Sequence, residues 1–118
     1  MRVFDSHSHY NDEKFDEDRE KILHEIYEAG ITKIIVAGYD IESSKKAIDL
    51  SNKYDFIYAI CGISPNDILK TENEIIKQIK KIENIAKADK VVGIGEIGLD
   101  YYWNKENKGL QKIAFIEQ

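Results

Sequence analysis

The sequence alternates short apolar runs, rich in β-branched residues, with longer amphipathic stretches, and this order limits the possible folds more than any other feature. Four runs predict β-strands: Arg2 to Asp5, Lys33 to Gly38, Phe56 to Gly62 and Lys90 to Gly95. The two middle runs are apolar almost throughout, which is typical of parallel strands covered on both faces. The sequence therefore predicts an α/β protein of four consecutive βα units around a parallel sheet.

The amphipathic stretches predict four helices: Asp16 to Ala29, Ile41 to Asn52, Thr71 to Ala88 and Lys108 to Gln118. The first is followed by Gly30, which can take the left-handed conformation common just after a helix. The third begins with Thr71 and Glu74 at capping-box spacing. The last has no stop signal, so we expect the chain to end within a helix. No linker, low-complexity segment or repeat interrupts residues 1–118, which predicts one domain.

Charge and cysteine content exclude several classes of protein. The 118 residues include 17 basic and 22 acidic ones, for a net charge of −5. This balance argues against a protein that holds duplex nucleic acid mainly by neutralising phosphates. A single cysteine rules out an intrachain disulfide, and no apolar N-terminal stretch indicates a signal peptide or a membrane span. We expect a cytoplasmic protein without membrane contact, in which Cys61 is a small buried hydrophobe.

Two histidines follow the first predicted strand, in Asp5-Ser6-His7-Ser8-His9. Side chains two apart on an extended backbone point the same way, so His7 and His9 can face one metal ion. The carboxyl ends of parallel strands are also where α/β proteins bind ligands. Two exposed loop histidines are the alternative. Ser6 points away from its neighbour and does not form a nucleophile pair with His7, and His24 is expected on a helix surface.

A carboxylate appears at the equivalent end of the fourth predicted strand, in Val91-Val92-Gly93-Ile94-Gly95-Glu96. Glu96 is therefore a third candidate ligand, and two histidines with one carboxylate suit zinc, manganese or iron. A glutamate in a polar loop is the alternative interpretation.

The glycines of the same stretch also satisfy a dinucleotide-binding pattern, since Gly93, Gly95 and Gly98 are spaced as G-x-G-x-x-G. That motif needs a helix to begin at once and receive the pyrophosphate, whereas no helical pattern appears before about Lys108. Glu96 and Asp100 would also place negative charge beside the phosphates. A nucleotide-binding module remains an alternative.

Together these motifs resemble the TatD family of metal-dependent deoxyribonucleases. The similarity lies in Phe4-Asp5-Ser6-His7-Ser8-His9 and in Gly93-Ile94-Gly95-Glu96-Ile97-Gly98-Leu99-Asp100-Tyr101-Tyr102, with Gln111, Phe115 and Gln118 matching the helix that follows. The resemblance covers the whole chain. It implies a (β/α)₈ barrel of the amidohydrolase type, of which these four units are the N-terminal half.

The resemblance also implies the chemistry and the roles of individual residues. His7 and His9 would bind one divalent metal ion, and Glu96 would ligate or bridge one or two ions of Mg, Mn or Zn, which makes it the catalytic candidate. The implied reaction is hydrolysis of DNA phosphodiester bonds by a metal-activated water. Ser64, Tyr101 and Tyr102 are candidate substrate contacts, the two tyrosines with Trp103 as a stacking wall. Loop aromatics that pack over the end of the sheet are the alternative interpretation.

Two departures from the family pattern limit this expectation. The family's Gly-x-His-Pro reads Gly62-Ile63-Ser64-Pro65 here, so a hydroxyl replaces an imidazole, and the sequence ends before two further histidines and an aspartate. We expect weak metal binding, little or no nuclease activity, and self-association through the two open edges of a half-barrel. A non-catalytic truncated α/β module and another amidohydrolase-type hydrolase remain alternatives.

Overall fold

A computed structural model describes all residues from Met1 to Gln118 and contains four strands that alternate with helices. The strands are β1 (Val3–Ser8), β2 (Ile31–Ala37), β3 (Ile57–Cys61) and β4 (Val91–Ile94). The helices are α1 (Arg19–Glu28), α2 (Ile41–Lys53), α3 (Glu72–Ile85) and α4 (Lys108–Glu117), with a short 3₁₀ helix at Glu13–Phe15 before α1. The predicted fold class of four βα units is confirmed.

The strands lie in the sheet in chain order, β1-β2-β3-β4, and every neighbouring pair is parallel. The central β2–β3 pair is in unbroken register, whereas both outer pairs contain register shifts. The outer edges of β1 and β4 have no partner strand. Because the strands are parallel, their four carboxyl ends lie at the same end of the sheet, which we call the rim.

Strand β1 is longer than predicted, because it continues past Asp5 to Ser8. Ser8 lies opposite Val36, and its Oγ donates a hydrogen bond to the carbonyl of Ile35 at 3.0 Å. His7 therefore lies inside the strand rather than in the loop after it.

Helix boundaries also differ by a few residues from the predicted ones. Residues 16–18 do not join α1, which begins at Arg19, and α3 ends at Ile85 rather than Ala88. Gly30 has φ +106°, the left-handed conformation predicted after the first helix. Its backbone lies against Met1, so a Cβ there would meet the Met1 carbonyl oxygen at 2.6 Å.

The main core lies between the centre of the sheet and its helices. It contains Leu23, Ile34, Val36, Ala47, Leu50, Ile57 and Ala59. A smaller cluster joins Cys61 and Ile63, at the end of β3, to Ile82 of α3, so Cys61 is buried as predicted. Burial of these side chains is the largest favourable term in the free energy of folding.

Both α2 and α3 begin with a capping box. Asp40 accepts from the Ser43 N–H at 2.8 Å, and Thr71 pairs with Glu74 as the sequence predicts. Each box satisfies backbone N–H groups that have no partner inside the helix. None of the helices combines the length and the apolar character that crossing a membrane requires.

Candidate metal centre

The two histidines and the glutamate predicted as ligands converge at the rim. His7 Nε2 lies 3.2 Å from His9 Nε2 and 2.8 Å from Glu96 Oε1. His9 Nε2 lies 3.2 Å from the same carboxylate oxygen. The group is partly open to solvent, and its ligand atoms all lie within 4.8 Å of one another.

A buried asparagine fixes the turn that carries His9. The Nδ2 of Asn11 donates to the carbonyl of Ala37 at 3.0 Å and to that of Ser43 at 2.9 Å. The turn after β1 is thereby fastened to the end of β2 and to the start of α2. Sequence analysis did not identify this role of Asn11.

Glu96 reaches the histidines because the segment after β4 crosses the ends of β3 and β2. The Gly95 N–H donates to the Cys61 carbonyl at 2.9 Å, and the Glu96 N–H donates to the Gly38 carbonyl at 2.7 Å. The crossing is so close that a Cβ on Gly62 would lie 2.6 Å from the Gly95 carbonyl carbon. A glycine is therefore required at position 62. The Gly95–Glu96 peptide bond is cis.

The donor set fits a divalent cation. Two ligands at about 2.0–2.1 Å from one ion are about 3.3 Å apart in a tetrahedral site and about 3.0 Å apart in an octahedral one. The three observed separations of 2.8 to 3.2 Å are close to these values. The Nε2 of His9 faces the other two side chains, whereas its Nδ1 is buried without a hydrogen-bond partner. Imidazole nitrogens and a carboxylate are ligands that zinc and manganese accept.

A cleft of about 600 Å³ opens beside the three side chains. The cleft is lined by residues of β1, β3 and β4 and by the two segments that follow β3 and β4. These residues are His7, Ile60, Ser64, Pro65, Asn66, Ile94, Gly95, Glu96, Ile97, Gly98, Leu99 and Asp100. Ser64 thus lies in the cleft wall, as its candidate role requires. Its hydroxyl donates a short hydrogen bond to the Asp67 carboxylate.

The predicted aromatic wall lies outside this cleft. Tyr102 and Trp103 are 77% and 76% exposed and pack edge to face, with ring centroids 4.9 Å apart. Tyr101 is half-buried, its hydroxyl has no hydrogen-bond partner, and Lys108 Nζ lies 5.0 Å from its ring centroid. Neither Tyr101 nor Tyr102 lines the cleft.

The structure does not support the dinucleotide alternative or a ligand role for the third histidine. No helix begins at Gly98, since α4 starts only at Lys108, so the strand–turn–helix arrangement of a dinucleotide site is missing. His24 is exposed on α1, as expected.

Comparison with known proteins gives a consistent family match. The model of the TatD-related DNase family matches residues 4–118. The metal-dependent hydrolase YabD of Bacillus subtilis is 37% identical over 116 residues, which are 98% of this chain and 44% of YabD. The 3'-5' ssDNA/RNA exonuclease TatD of Pectobacterium carotovorum is 31% identical, again over 98% of this chain and 44% of the relative.

A solved structure shares the fold as well. The TatD homologue YjjV of Escherichia coli superposes with a TM-score of 0.80 at 28% identity, over 98% of this chain and 44% of YjjV. This match confirms the predicted correspondence to half of a (β/α)₈ barrel, and the chain spans less than half the length of the relatives it matches. Because the family model covers nearly every residue, including both motifs that supply the converging side chains, the chain belongs to the TatD-related DNase family.

Proposed function

We propose that this chain forms part of a metal-dependent hydrolase that cleaves phosphodiester bonds of DNA. The observation that carries the proposal is the convergence of His7, His9 and Glu96 at the rim of a chain in the TatD-related DNase family. The names of two relatives support it, since one is a metal-dependent hydrolase and another a single-stranded DNA/RNA exonuclease.

In this proposal His7, His9 and Glu96 hold one or two divalent ions of Mg, Mn or Zn. Such an ion, when bound, makes a coordinated water acidic enough to act as a nucleophile near neutral pH and offsets negative charge on the phosphate. The histidines must be neutral and the carboxylate ionised to act as ligands. Glu96 is the proposed catalytic residue because its carboxylate contacts both imidazoles and would help to hold the ion that supplies the chemistry.

The charge of the cleft indicates how a phosphate would be attracted. None of the residues that line the cleft is a lysine or an arginine, and Glu96 and Asp100 both carry carboxylates. An anionic substrate is repelled by such a wall unless a cation offsets its charge. We therefore expect binding of single-stranded DNA to depend on the divalent ion.

We propose that the 118-residue chain by itself holds metal weakly and cleaves little or no DNA, because only three candidate ligands converge at the rim. Elemental analysis after gel filtration should find metal well below one ion per chain, and a single-stranded oligonucleotide should stay intact with Mg²⁺, Mn²⁺ or Zn²⁺. One tightly held ion per chain, together with divalent-dependent cleavage that His7→Ala abolishes, would contradict this part.

A chimera tests the hydrolase assignment itself. The remaining βα units of YabD would be joined after Gln118, to supply the strands that complete the barrel. We expect divalent-dependent cleavage of single-stranded DNA by the chimera, abolished by His7→Ala and by Glu96→Gln but not by His24→Ala. A folded chimera that binds metal and does not cleave DNA would refute the assignment.

We propose that the open edges of the isolated chain pair with a second copy. Apolar side chains are exposed along both outer strands and on the last helix, namely Val3, Phe4, Val92, Ile94, Phe115 and Ile116. Unpaired strand edges beside such side chains favour association. Sedimentation velocity should show a dimer, and a single monomeric species at high concentration would contradict this expectation.

We also propose a cytoplasmic location. The sole cysteine, Cys61, is a free thiol and is buried. Disulfides are rare in the reducing cytosol, and a single buried thiol without a disulfide is compatible with that compartment. Fractionation of cells that produce the protein, with antibody detection, checks it.

A further inference from the structure

Two glutamines, Gln111 in α4 and Gln118 at its C-terminal cap, each pair with the backbone of one residue at the rim. Gln111 Oε1 accepts from the Asp100 N–H at 2.8 Å, and its Nε2 donates to the Asp100 carbonyl at 3.0 Å. Gln118 Oε1 accepts from the Ile63 N–H at 2.7 Å, and its Nε2 donates to the Ile63 carbonyl at 3.0 Å. Each side-chain amide thus satisfies both backbone groups of its partner, as a neighbouring strand would.

The two amides lie on the same side of α4, because residues seven apart are separated by about two helical turns. Gln111 is fully buried, and its Nε2 also donates to the Asn104 carbonyl at 3.1 Å and to Asn107 Oδ1 at 2.7 Å. The amide nitrogen carries two hydrogens, which these acceptors share. A buried amide with such partners is costly to replace by a side chain without donors or acceptors.

The partners of the two glutamines belong to the two loops that wall the cleft. We call residues 62–70 the β3 loop and residues 95–107 the β4 loop. Ser64, Pro65 and Asn66 of the first and residues 95–100 of the second line the cleft beside His7.

One side-chain contact joins the two loops directly. Asn66 Nδ2 donates to Asp100 Oδ2 at 3.1 Å, while Asp100 Oδ1 accepts from the N–H groups of Tyr102 at 3.0 Å and Trp103 at 3.3 Å. The Asn66 amide, followed by these backbone groups, lowers the pKa of Asp100 below its usual value. The loops and α4 therefore form one closed circuit of hydrogen bonds.

We propose that Gln111 and Gln118 are positioning residues, which tie both loops to α4 and so hold the cleft wall in place relative to His7 and Glu96. The hydrogen bonds from the two glutamines to the loops are given by the distances alone. Their consequence for a nucleic-acid substrate rests on the proposed function. Neither side chain touches the candidate ligands, so metal binding does not depend on them directly.

Replacement by methionine separates hydrogen bonding from packing. Gln→Met nearly conserves volume but removes both the donor and the acceptor. In Gln111→Met the Asp100 amide loses its partner, and in Gln118→Met the Ile63 amide does. We expect hydrogen exchange of the affected amide to accelerate about tenfold or more, with exchange in the central strands unchanged.

Gln78 provides a matched control. Its Oε1 accepts from the Leu69 N–H at 3.0 Å, and its Nε2 donates to the Asp67 carbonyl at 3.1 Å. It holds the far end of the β3 loop from α3 rather than α4 and has no contact with the β4 loop. Gln78→Met should accelerate exchange at Leu69 and leave Asp100 unaffected.

The single tryptophan gives a local optical signal for the same test, since Trp103 lies in the β4 loop. Gln111→Met should lower Trp103 fluorescence anisotropy because the loop becomes more mobile, whereas Gln78→Met should leave it unchanged. The proposal would be overturned if hydrogen exchange of the Asp100 amide in Gln111→Met and of the Ile63 amide in Gln118→Met were unchanged. It would also be overturned if Gln78→Met changed the Trp103 signal as much as Gln111→Met does.

A binding experiment checks the consequence for substrate. With saturating Mn²⁺, a fluorescently labelled single-stranded oligonucleotide should bind Gln111→Met and Gln118→Met several-fold more weakly than the original chain, with Mn²⁺ affinity unchanged. Equal oligonucleotide affinity despite loosened loops would refute the positioning role. If neither the chimera nor the original chain bound the oligonucleotide, the proposed function would be refuted instead. The exchange data would still show whether Gln111 and Gln118 hold the two loops.

Discussion

The centre of the sheet and its two outer strands are built differently. Ile34 on β2 and Ile57 on β3 are completely buried, and the two strands pair without a register shift. On the outer strands Phe4 is 57%, Val92 54% and Ile94 43% exposed, and both outer pairings contain shifts. The candidate ligands nevertheless belong to the outer strands, with His7 on β1 and Glu96 just after β4.

Stability and site chemistry are therefore carried by different parts of the molecule. The segment with Glu96 crosses the ends of the central strands, where the carbonyls of Gly38 and Cys61 accept its N–H groups. The packed centre is thus the support on which side chains from the two outer strands meet. Substitutions in the centre should mainly change folding, and substitutions at the edges should mainly change association and metal binding.

The largest expected effect on stability comes from replacing isoleucine by alanine in the centre of the sheet rather than on an outer strand. Ile34→Ala should lower the free energy of unfolding by about 2–5 kcal/mol, because a buried side chain is replaced by a cavity. Ile94→Ala, at a half-exposed position on β4, should cost less than about 1 kcal/mol and should weaken self-association instead. Urea unfolding and sedimentation measure the two effects. Equal losses of stability would contradict the distinction.

A smaller effect is expected at the helix starts. Asp40 caps α2, which packs on the centre, and its carboxylate accepts from the Ser43 N–H, whereas Asp18 before α1 makes no side-chain capping hydrogen bond. Asp40→Ala should cost about 1 kcal/mol, and Asp18→Ala only a few tenths. Thermal unfolding of the two variants makes the comparison, and a larger loss for Asp18→Ala would show that the cap geometry is wrong.

Ionisation of the Cys61 thiol on β3 should have the smallest effect on the free energy of unfolding near neutral pH. Burial raises the pKa of Cys61 from 9.0 to about 11. The unfolded thiol ionises at lower pH than the folded one, so stability from this group is complete below pH 9 and declines as the pH rises toward 11. Iodoacetamide at pH 8 should label the folded chain far more slowly than the urea-unfolded chain. Equal labelling rates would contradict burial of the thiol.

The sequence predicted the parts of the fold that depend on local pattern. Apolar runs and capping residues located all four strands and helices. The extension of β1 to Ser8 was not predicted because its last residues are polar, and Ser8 is held in the strand by pairing with β2. Gln118 is 55 residues from its partner Ile63, and no local pattern indicates such a contact.

The candidate site could be anticipated only in part. The spacing of His7 and His9 places both at the rim by strand geometry, and Glu96 follows from the equivalent end of β4. The crossing that brings Glu96 within 2.8 Å of His7 depends on the backbone of three separate segments, so the distance could not be predicted. Their roles as ligands stay a prediction.

Titration of the chain with Zn²⁺ or Co²⁺ tests the central claim most directly, that ligands from the two outer strands form one metal site. Calorimetry should show weak, saturable binding, and Co²⁺ should give the visible absorption of a histidine-ligated ion. His7→Ala and Glu96→Gln should each abolish both signals, whereas His24→Ala should leave them unchanged because that histidine is exposed on α1. Binding that survives His7→Ala and Glu96→Gln, or that His24→Ala reduces as strongly, would contradict the account.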